Sequence, residues 1–288
     1  GGHLSRALLE AGDQVTVIDN LTTGNERNVM ELRKFDGFRA VTTDVENSIV
    51  LDRLMSESTL VIHLAAAVGV ELIVSDPIRT ITTNIHGTSA VLEAADRYKV
   101  HTLIASTSEV YGKSNQLPFR EDGDVVLGPT SKNRWSYAAS KMVDEFLGLA
   151  YVEHSGLPVT LFRLFNTVGP RQTGQYGMVV PRFVQAALEG RPIPVYGDGQ
   201  QSRCFLHVSD AVDAIMRLAD EPDAVGKVFN VGSSELVTIQ QLAERVLSRV
   251  DKWRGEEATS TDGRLTFIPY DQAYQSGFED MRTRRPDT

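Results

Sequence analysis

Tyr137 and Lys141, which stand four residues apart, are the residues of this sequence best suited to acid–base chemistry. At that spacing both side chains lie on one face of a helix, so the ammonium can lie near the phenol. A neighbouring positive charge favours the phenolate and lowers a pKa that is ordinarily about 10. The pair therefore predicts a general base.

Upstream of this pair, the apolar run from Thr102 to Ala105 predicts a buried strand, and Thr107, Ser108 and Glu109 follow its carboxyl end. Open α/β sheets bind their ligands at that edge. We therefore expect two hydroxyls and a carboxylate to face Tyr137. The tyrosine and lysine alone also suit an ordinary amphipathic helix, and the hydroxyl cluster is what favours a catalytic site.

The composition, with 41% hydrophobic and 23% charged residues over 288 positions, is that of a soluble globular protein. A formal net charge of -9 argues against nucleic acid or an acidic membrane surface as a partner. The single Cys204 excludes an intrachain disulfide framework and indicates a reducing, cytoplasmic compartment. We expect no membrane span, because no apolar run approaches about 18 residues, and we see no signal peptide.

The chain opens on a glycine pair and passes at once into helical spacing of apolar residues, which ends at Gly12. A buried strand is then predicted from Val15 to Asp19. In a dinucleotide-binding unit, the acid that closes the second strand accepts hydrogen bonds from the adenosine ribose, which favours NAD over NADP. We therefore expect Gly1 to be the last glycine of a turn whose earlier part precedes this sequence. The alternative is a cloning remnant followed by an ordinary turn.

Strands and helices continue to alternate. A strand is predicted from Phe38 to Val41, and Asp44 and Val45 lie just past its end, where a carboxylate could meet an adenine amino group. Another is predicted from Thr59 to Leu64, and the small Ala65 and Ala66 that follow let the backbone approach a ligand closely.

A long helix is predicted from Pro77 to Tyr98, with Asn84 on its apolar face as either a structural amide or a group beside the site. His63 is expected to be a packed strand residue, and we assign no metal, because no His or Cys stands near it at metal-ligand spacing. The alternation of strands and helices predicts an α/β fold with a doubly wound parallel sheet and right-handed crossovers.

The composition changes after the strand predicted from Val159 to Leu164. Residues 167 to 205 are rich in Gly, Pro, Gln and Arg, and we expect an irregular surface region suited to ligand contact. An arginine there offers a planar fork to a phosphate, and Tyr196 offers a face to a base. A solvated loop is the alternative. The sheet is expected to resume near Val228, and residues 253 to 265 are expected to form an exposed loop.

These residues together resemble the extended short-chain dehydrogenase/reductase family, which comprises NAD-dependent nucleotide-sugar epimerases, dehydratases and decarboxylases. The resemblance covers essentially the whole chain and rests on the order and spacing of several short motifs. They are Gly1, Asp19-Asn20, Asp44-Val45, Leu64-Ala65-Ala66, Thr107, Tyr137 with Lys141, Arg163 to Asn166, Gly169-Pro170-Arg171, and Arg203 followed by His207-Val208-Ser209-Asp210.

The resemblance implies a Rossmann-like NAD-binding domain over residues 1–166, with its first strand and glycine turn missing. It implies a smaller lobe for a nucleoside diphosphate sugar, with UDP favoured, over residues 167–288, of which 206–232 return to the sheet. The implied NAD-binding residues are Gly1, Asp19, Asn20, Asp44, Val45, Leu64, Ala65, Ala66, Tyr137 and Lys141. The implied substrate-binding residues are Asn166, Arg171, Val180, Arg182, Tyr196 and Arg203. It further implies a homodimer through the helices at Pro77 to Tyr98 and Arg134 to His154.

The family's chemistry implies that Tyr137 takes the proton of the sugar C4 hydroxyl while the C4 hydride passes to NAD, and that Thr107 holds the same oxygen. Dehydratases place an Asp-Glu pair after this threonine, whereas this chain has Ser108-Glu109, so dehydration is disfavoured. The Thr-Ser-Glu sequence is similar to UDP-glucuronate decarboxylases. In that branch, Ser108 and Glu109 would manage protons around C5, and Arg284 would lie at the active site.

Two further interpretations stay open. Met178 stands where some decarboxylases carry a basic residue, and Gly177 to Phe183 is equally similar to 4-epimerases of UDP-hexoses or uronates. We favour the decarboxylase slightly over the 4-epimerase. A non-catalytic dinucleotide sensor is the alternative of another class, and the retained Thr107, Tyr137 and Lys141 argue against it.

Overall fold

The computed structural model describes residues 1–69, 73, 76–174, 177–257, 260–273 and 281–288. Its first part alternates helices and strands, as the sequence predicts. These elements are α1 (Gly2–Ala11), β1 (Val15–Asp19), α2 (Glu26–Leu32), β2 (Phe38–Thr42), α3 (Ser48–Ser56), β3 (Leu60–His63), α4 (Pro77–Tyr98), β4 (His101–Thr107), α5 (Ser136–Ser155) and β5 (Val159–Leu164).

Local signals fix the ends of two helices that the sequence predicts. α1 ends where Gly12 adopts φ 99°, a left-handed conformation that glycine takes without steric cost. α4 begins where the Asp76 side chain accepts a hydrogen bond from the backbone N–H of Arg79, with Pro77 in the first turn.

The second part of the chain completes the sheet and adds a smaller unit. Its elements are β6 (Thr167–Val168), α6 (Val179–Leu188), β7 (Ile193–Tyr196), β8 (Ser202–Cys204), β9 (Leu206–His207), α7 (Val208–Asp220), β10 (Val228–Val231), β11 (Leu236–Thr238), α8 (Ile239–Arg254), β12 (Leu265–Ile268), α9 (Tyr270–Ala273) and β13 (Thr283–Arg284).

A four-stranded parallel sheet in the order β10, β5, β4, β3 forms the centre of the molecule, and β1 and β2 make a separate parallel pair. Alternate residues of β4 and β5 point to opposite faces. Ile104 and Leu161 belong to a core with α4, while Leu103 and Phe162 belong to a core with α1 and α7. Both faces of the sheet are therefore covered, which confirms the doubly wound prediction.

Residues 167–205 are more regular than the sequence analysis expected, and that expectation was wrong for α6, β7 and β8. α6 packs on α8 through Phe183, Ala186 and Ala187, and β7 contributes Ile193 and Val195 to the same core. The apolar residues of α6 have helical spacing, but the glycines and arginines of this region indicated a loop. Of the predicted ligand loop, Gln175 and Tyr176 lie outside the described residues.

The loop predicted from Trp253 begins later than expected, because α8 runs on to Arg254. At the start of α8, Thr238 caps the helix, and Gln241 completes a reciprocal capping box. Within the part of the chain that the structure describes, no helix is both long and apolar enough to cross a bilayer.

Residues 281–288 return from the second part of the chain to the first. β13 pairs in parallel with β8, and beyond it the backbone N–H of Phe119 donates to the carbonyl of Arg285 at 2.8 Å. The N–H of Asp287 then donates to the carbonyl of Phe119 at 2.9 Å. This terminal segment therefore fixes Arg284 between the two parts of the molecule.

Candidate active site

Thr107 and Tyr137 meet at the carboxyl edge of the sheet. Thr107 ends β4 and caps the short 3-10 helix Ser108–Tyr111, in which the Glu109 N–H donates to Thr107 Oγ1 at 3.3 Å. Tyr137 lies in the first turn of α5 and is hydrogen-bonded to Thr107. Both side chains are buried. Thr107, which the sequence analysis expected to face Tyr137, thus lies within reach of its hydroxyl.

A buried ion pair holds α5 against the sheet below this contact. Arg163 of β5 donates through Nε and Nη2 to the two carboxylate oxygens of Glu145, at 2.9 and 2.7 Å. The Ser106 hydroxyl of β4 donates to the same carboxylate. A bidentate arginine–carboxylate pair fixes orientation as well as distance. It therefore fixes where α5 presents Tyr137.

Glu109 lies between two arginines. Arg134 Nη1 is 2.5 Å from its Oε2, and Arg284 Nη1 is 2.5 Å from its Oε1. Burial acts to raise the pKa of Glu109, but Arg284, Arg134 and Arg203 outweigh it and lower that pKa to about 2. Glu109 is therefore a carboxylate at neutral pH. It can accept a proton only if the positive charges around it move away.

The surroundings of Tyr137 favour the neutral phenol over the phenolate. Burial raises its pKa above the ordinary value of 10.0, and the charges of Glu109 and Asp144 raise it further. The Thr107 hydroxyl and the Arg134 guanidinium lower it. Tyr137 therefore needs further positive charge, or a change in these neighbours, before it can act as a base at neutral pH.

Lys141 is buried near Tyr137 on α5, but its ammonium is directed to a third residue. Its Nζ lies 2.6 Å from Oδ2 of Asp144, one turn further along the helix. The expectation that Lys141 favours the phenolate thus stays a prediction for the cofactor-bound enzyme. Asp144 was not singled out in the sequence, although its position three residues after Lys141 places it on the same helix face.

The predicted substrate residues fall into two groups. Arg182 of α6 donates to the Tyr196 hydroxyl at 2.5 Å and lies over its ring, 5.2 Å from the centroid. Arg203 is buried on β8, close enough to Glu109 to lower its pKa, and Asn166 Nδ2 donates to the Cys204 carbonyl at 2.8 Å. Val180 lies in the first turn of α6.

Arg171 makes its contacts elsewhere. Its Nη1 lies 3.0 Å from a carboxylate oxygen of Glu31 and 3.3 Å from the Asn28 amide oxygen, both on α2. Its backbone has φ 69°, which helps to turn the chain in that direction. The structure therefore brings Arg171 to the NAD-side helices rather than to Arg203. The cause is a pairing with Glu31 that a sequence motif does not encode.

The order of these elements matches a known group. The model of the "NAD dependent epimerase/dehydratase family" matches residues 1–232. The chain belongs to this family. Its members depend on NAD.

Individual relatives in the epimerase/dehydratase family are similar over the full chain. UDP-N-acetyl-alpha-D-glucosaminuronate decarboxylase of Bacillus cytotoxicus is 40% identical over 288 residues, which cover 100% of this chain and 85% of that protein. UDP-glucuronic acid decarboxylase 1 of Danio rerio is 34% identical over 290 residues, which cover 100% of this chain but only 63% of the zebrafish protein.

A solved structure of the same family is also similar. It is a UDP-glucuronic acid 4-epimerase variant from Bacillus cereus, in complex with UDP-4-deoxy-4-fluoro-glucuronic acid and NAD. It is 26% identical with a TM-score of 0.84, and the match covers 100% of this chain and 86% of that one.

The carboxyl edge of β1 and β2 fits the adenosine end of the NAD on which the family depends. Asp19 accepts a hydrogen bond from the Leu21 N–H at 2.8 Å, and Asn20 donates to Asp44 at 2.5 Å. All three polar side chains are exposed, so they can bind ribose hydroxyls and an adenine amino group. Gly1 lies close to Asp19. These are the residues that would hold this end of NAD.

The backbone after β3 fits a second part of NAD. Leu64 packs in the core that includes Leu103, and Ala65 and Ala66 follow it. Next to them, the buried Asn84 amide accepts from the Ala67 N–H at 2.7 Å and donates to the Ser140 hydroxyl at 3.0 Å. Asn84 thus holds this backbone against α5, which resolves its role as structural.

Val45 contacts α4. Its Cγ1 lies 3.0 Å from the position that a Cβ on Gly87 would take, so α4 approaches closely here only because of a glycine.

Among the residues that the structure describes, no group of three His, Cys, Asp or Glu side chains is placed to hold a metal ion. His63 is packed as expected, with its Nε2 3.2 Å from Thr88 Oγ1.

Sequence reasoning missed Arg134 as a site residue. It stands three residues before Tyr137, at the end of the loop that leads into α5, and its side chain is 3% exposed. A buried arginine needs an anionic partner, so its position beside Tyr137 and its charge were the available signal. Its partner, Glu109, could not be identified without the fold.

Proposed function

We propose that this chain is a UDP-hexuronate decarboxylase that oxidises C4 of its substrate transiently. The two candidate substrates are UDP-glucuronate and its 2-acetamido counterpart, UDP-N-acetylglucosaminuronate. The similarity to decarboxylases of both compounds supports this proposal. The observation that carries it is the position of Glu109 between Arg134 and Arg284, within reach of the Thr107 and Tyr137 pair.

Thr107 and Tyr137 suit oxidation at C4. Their hydroxyls are hydrogen-bonded to each other, so a sugar C4 oxygen that joins this contact meets one group that orients it and one that accepts its proton. NAD, when bound, accepts the hydride that leaves C4 and later returns it. Residues that hold these positions must be rigid, and the Glu145–Arg163 pair behind Tyr137 supplies that rigidity.

A ketone at C4 makes the substrate a β-keto acid. When the bond from C5 to the carboxylate carbon breaks, CO2 leaves and the electron pair moves into the C4 carbonyl, giving an enolate whose oxygen Tyr137 and Thr107 can stabilise. C5 then takes up a proton, and hydride return to C4 restores the alcohol. We assign that proton transfer to the hydroxyl of Ser108, which is buried next to Thr107.

The arginine pair on Glu109 favours loss of CO2 over its retention. A substrate carboxylate that is held by arginines is stabilised and leaves reluctantly, because its charge must move into the ring. Here Glu109 compensates one of the two positive charges of Arg134 and Arg284, each of which lies 2.5 Å from one of its oxygens. A substrate carboxylate would therefore be held less firmly than by the two arginines in the absence of Glu109.

A UDP-uronate 4-epimerase is the second candidate, supported by the similarity to the Bacillus cereus structure. It shares the C4 oxidation and differs afterwards, since the ketone is reduced from the other face while the carboxylate stays. Thr107, Tyr137 and Lys141 serve both reactions equally. The two candidates therefore differ in the fate of the C6 carboxylate and in the face of C4 to which the hydride returns.

We also propose a homodimer through α4 and α5. Both helices leave apolar side chains in solvent, with Ile78 at 75% exposure and Phe146 at 68%. Ile81 and Val143, one turn from each, are also exposed. An isologous four-helix contact would bury these side chains. A division into an NAD-binding part, 1–166, and a nucleotide-sugar part, 167–288, and a cytoplasmic location belong to the same proposal.

The experiment is product analysis with the intact enzyme and added NAD. UDP-glucuronate, UDP-N-acetylglucosaminuronate and UDP-glucose, which lacks the carboxylate, are each incubated and followed by NMR. We expect a UDP-pentose or its 2-acetamido analogue from one of the uronates and no decarboxylated product from UDP-glucose. Accumulation of the C4 epimer with the carboxylate intact would reject the decarboxylase and favour the epimerase.

A further inference from the structure

A buried cluster of polar groups lies behind Tyr137. Lys141 Nζ donates to Asp144 Oδ2 at 2.6 Å, and the two side chains are 3% and 0% exposed. Thr88 of α4 lies close enough to Asp144 to lower its pKa, and the Thr88 Oγ1 lies 3.2 Å from His63 Nε2 on β3. Three elements of the core therefore meet at this one carboxylate.

The helix explains why Asp144 can act on Lys141. Residues 137, 141 and 144 follow one another at spacings of four and three, so they form a stripe on one face of α5. Gly148 continues that stripe, and a Cβ there would lie 3.3 Å from Val159 Cγ1. The stripe therefore faces the sheet, and Asp144 lies in its buried part.

Charged groups from several neighbouring elements surround this stripe. Around Tyr137 they are Glu109, Arg134 and Asp144, of which the two carboxylates raise its pKa. Burial raises the pKa of Asp144 itself, which Lys141 and Thr88 lower and Glu145 raises. Burial and the Lys141 charge lower the pKa of His63 to about 3, so His63 is neutral at physiological pH.

Resting on the proposed function, we propose that Asp144 is a positioning residue that acts through Lys141. By taking one hydrogen bond from the ammonium, the Asp144 carboxylate fixes the position of Lys141 and compensates its charge. Asp144 thereby sets how much positive charge reaches Tyr137, and so the pH at which Tyr137 works as a base. An ammonium has three donors, so Lys141 can serve Tyr137 or the cofactor without leaving Asp144.

A purely structural ion pair would behave differently. Asp251 and Arg264 provide that comparison, because Arg264 Nη2 lies 2.7 Å from Asp251 Oδ1 and the Asp251 side chain is 1% exposed. This pair joins α8 to the segment before β12 and lies away from Tyr137. Asp251→Asn is therefore a matched loss of one buried carboxylate.

The test is the titration of the Tyr137 phenol in the intact, substrate-free protein, measured by ultraviolet difference absorbance against Tyr137→Phe up to the highest pH at which the fold survives. We expect Asp144→Asn to move this titration to lower pH than in the wild type. The acid limb of the kcat profile should move in the same direction. Asp144→Glu, which keeps the charge, should leave the phenol titration and the acid limb as in the wild type. Asp251→Asn should also leave these two quantities unchanged, although it should lower the melting temperature.

An unchanged phenol titration in Asp144→Asn, or one moved to higher pH, would overturn the proposal. Asp144→Ser provides a second variant without the carboxylate if Asp144→Asn does not fold, and the same shift is expected. The phenol titration requires no sugar. A wrong substrate assignment would therefore leave this result intact, so the two proposals fail separately.

Discussion

Arg284 and Glu109 are 175 residues apart in the chain, and yet Arg284 Nη1 lies 2.5 Å from Glu109 Oε1. The contact forms because β13 pairs with β8, while the residues after it hydrogen-bond to Phe119. It joins the terminal segment to the short helix that follows Thr107. The charge state of the site thus depends on the docking of residues 281–288.

Glu109 should contribute stability that is lost in acid. Its pKa is about 2 in the folded protein against an ordinary 4.5, so its contribution is complete above pH 4.5 and disappears as the pH falls through 2. The full effect corresponds to about 3 kcal/mol in the free energy of unfolding. Urea unfolding at several pH values across this window measures it. Glu109→Gln should flatten the dependence, whereas Glu57→Gln, on an exposed pair with Arg39, should leave it as in the wild type.

Tyr137→Phe should lower kcat by about 10²-fold to 10⁴-fold, because it removes the group that accepts the C4 proton. NAD binding to the intact enzyme should persist, since the phenyl ring keeps the packing at the start of α5. Tyr98→Phe is the matched control, because its hydroxyl bonds Asp52 on the surface. Steady-state rates and NAD titration measure both effects. Equal turnover in the two variants would show that Tyr137 does not accept the C4 proton.

Gly128→Ala should disturb the site from a distance. A Cβ at this glycine would lie 2.1 Å from Nε1 of Trp135, whose ring is buried, so the indole must move. Trp135 directly follows Arg134, so the movement should weaken the contact with Glu109. We expect a loss of about 1–3 kcal/mol in stability together with lower kcat.

Thermal unfolding and rate measurements check the Gly128→Ala prediction. Gly2→Ala is its control, because the nearest atom to a Cβ there, on Asn28, is 3.7 Å away, an ordinary contact. A Gly128→Ala enzyme as stable and as active as Gly2→Ala would show that the Trp135 loop adapts without cost.

Phe146→Glu should prevent the proposed dimer. Phe146 is 68% exposed on α5, and a charge at this position would have to be buried without a partner in an isologous contact. Light scattering coupled to gel filtration should give a monomer for this variant and a dimer for the wild type. Phe267→Glu, at a 48% exposed position on β12, should remain dimeric. A dimeric Phe146→Glu protein would show that the interface lies on another surface.

Much of the fold was predictable because its signals are local. The apolar strands Val15–Asp19 and Val159–Leu164 and the helix Pro77–Tyr98 have the bounds that the sequence indicates. The expected burial was wrong for Val15–Asp19, in which no residue is buried. Gly12 and Asp76 mark helix ends by conformational and capping preferences that act within a few residues. α6 was missed, because its apolar spacing lies in a region whose glycines and arginines indicate loops.

The candidate site was predictable only in part. Thr107 faces Tyr137 as expected, because both belong to elements whose place around a parallel sheet follows from their order. The partners of Arg134 and Arg171 were not predictable, because both arginines acquire them from tertiary contacts. Such contacts join positions that no spacing rule relates, as the Arg171 pairing with Glu31 illustrates.

The fate of the substrate carboxylate tests the central claim most directly. UDP-glucuronate and UDP-N-acetylglucosaminuronate, each labelled with carbon-13 at C6, are incubated separately with the intact enzyme and NAD and followed by carbon-13 NMR. The proposed decarboxylase should transfer the label of its substrate to CO2 and bicarbonate, in amounts equal to the UDP-sugar product, and Tyr137→Phe should transfer none. A label that stays in a carboxylate of the C4 epimer, from either compound, would contradict the account.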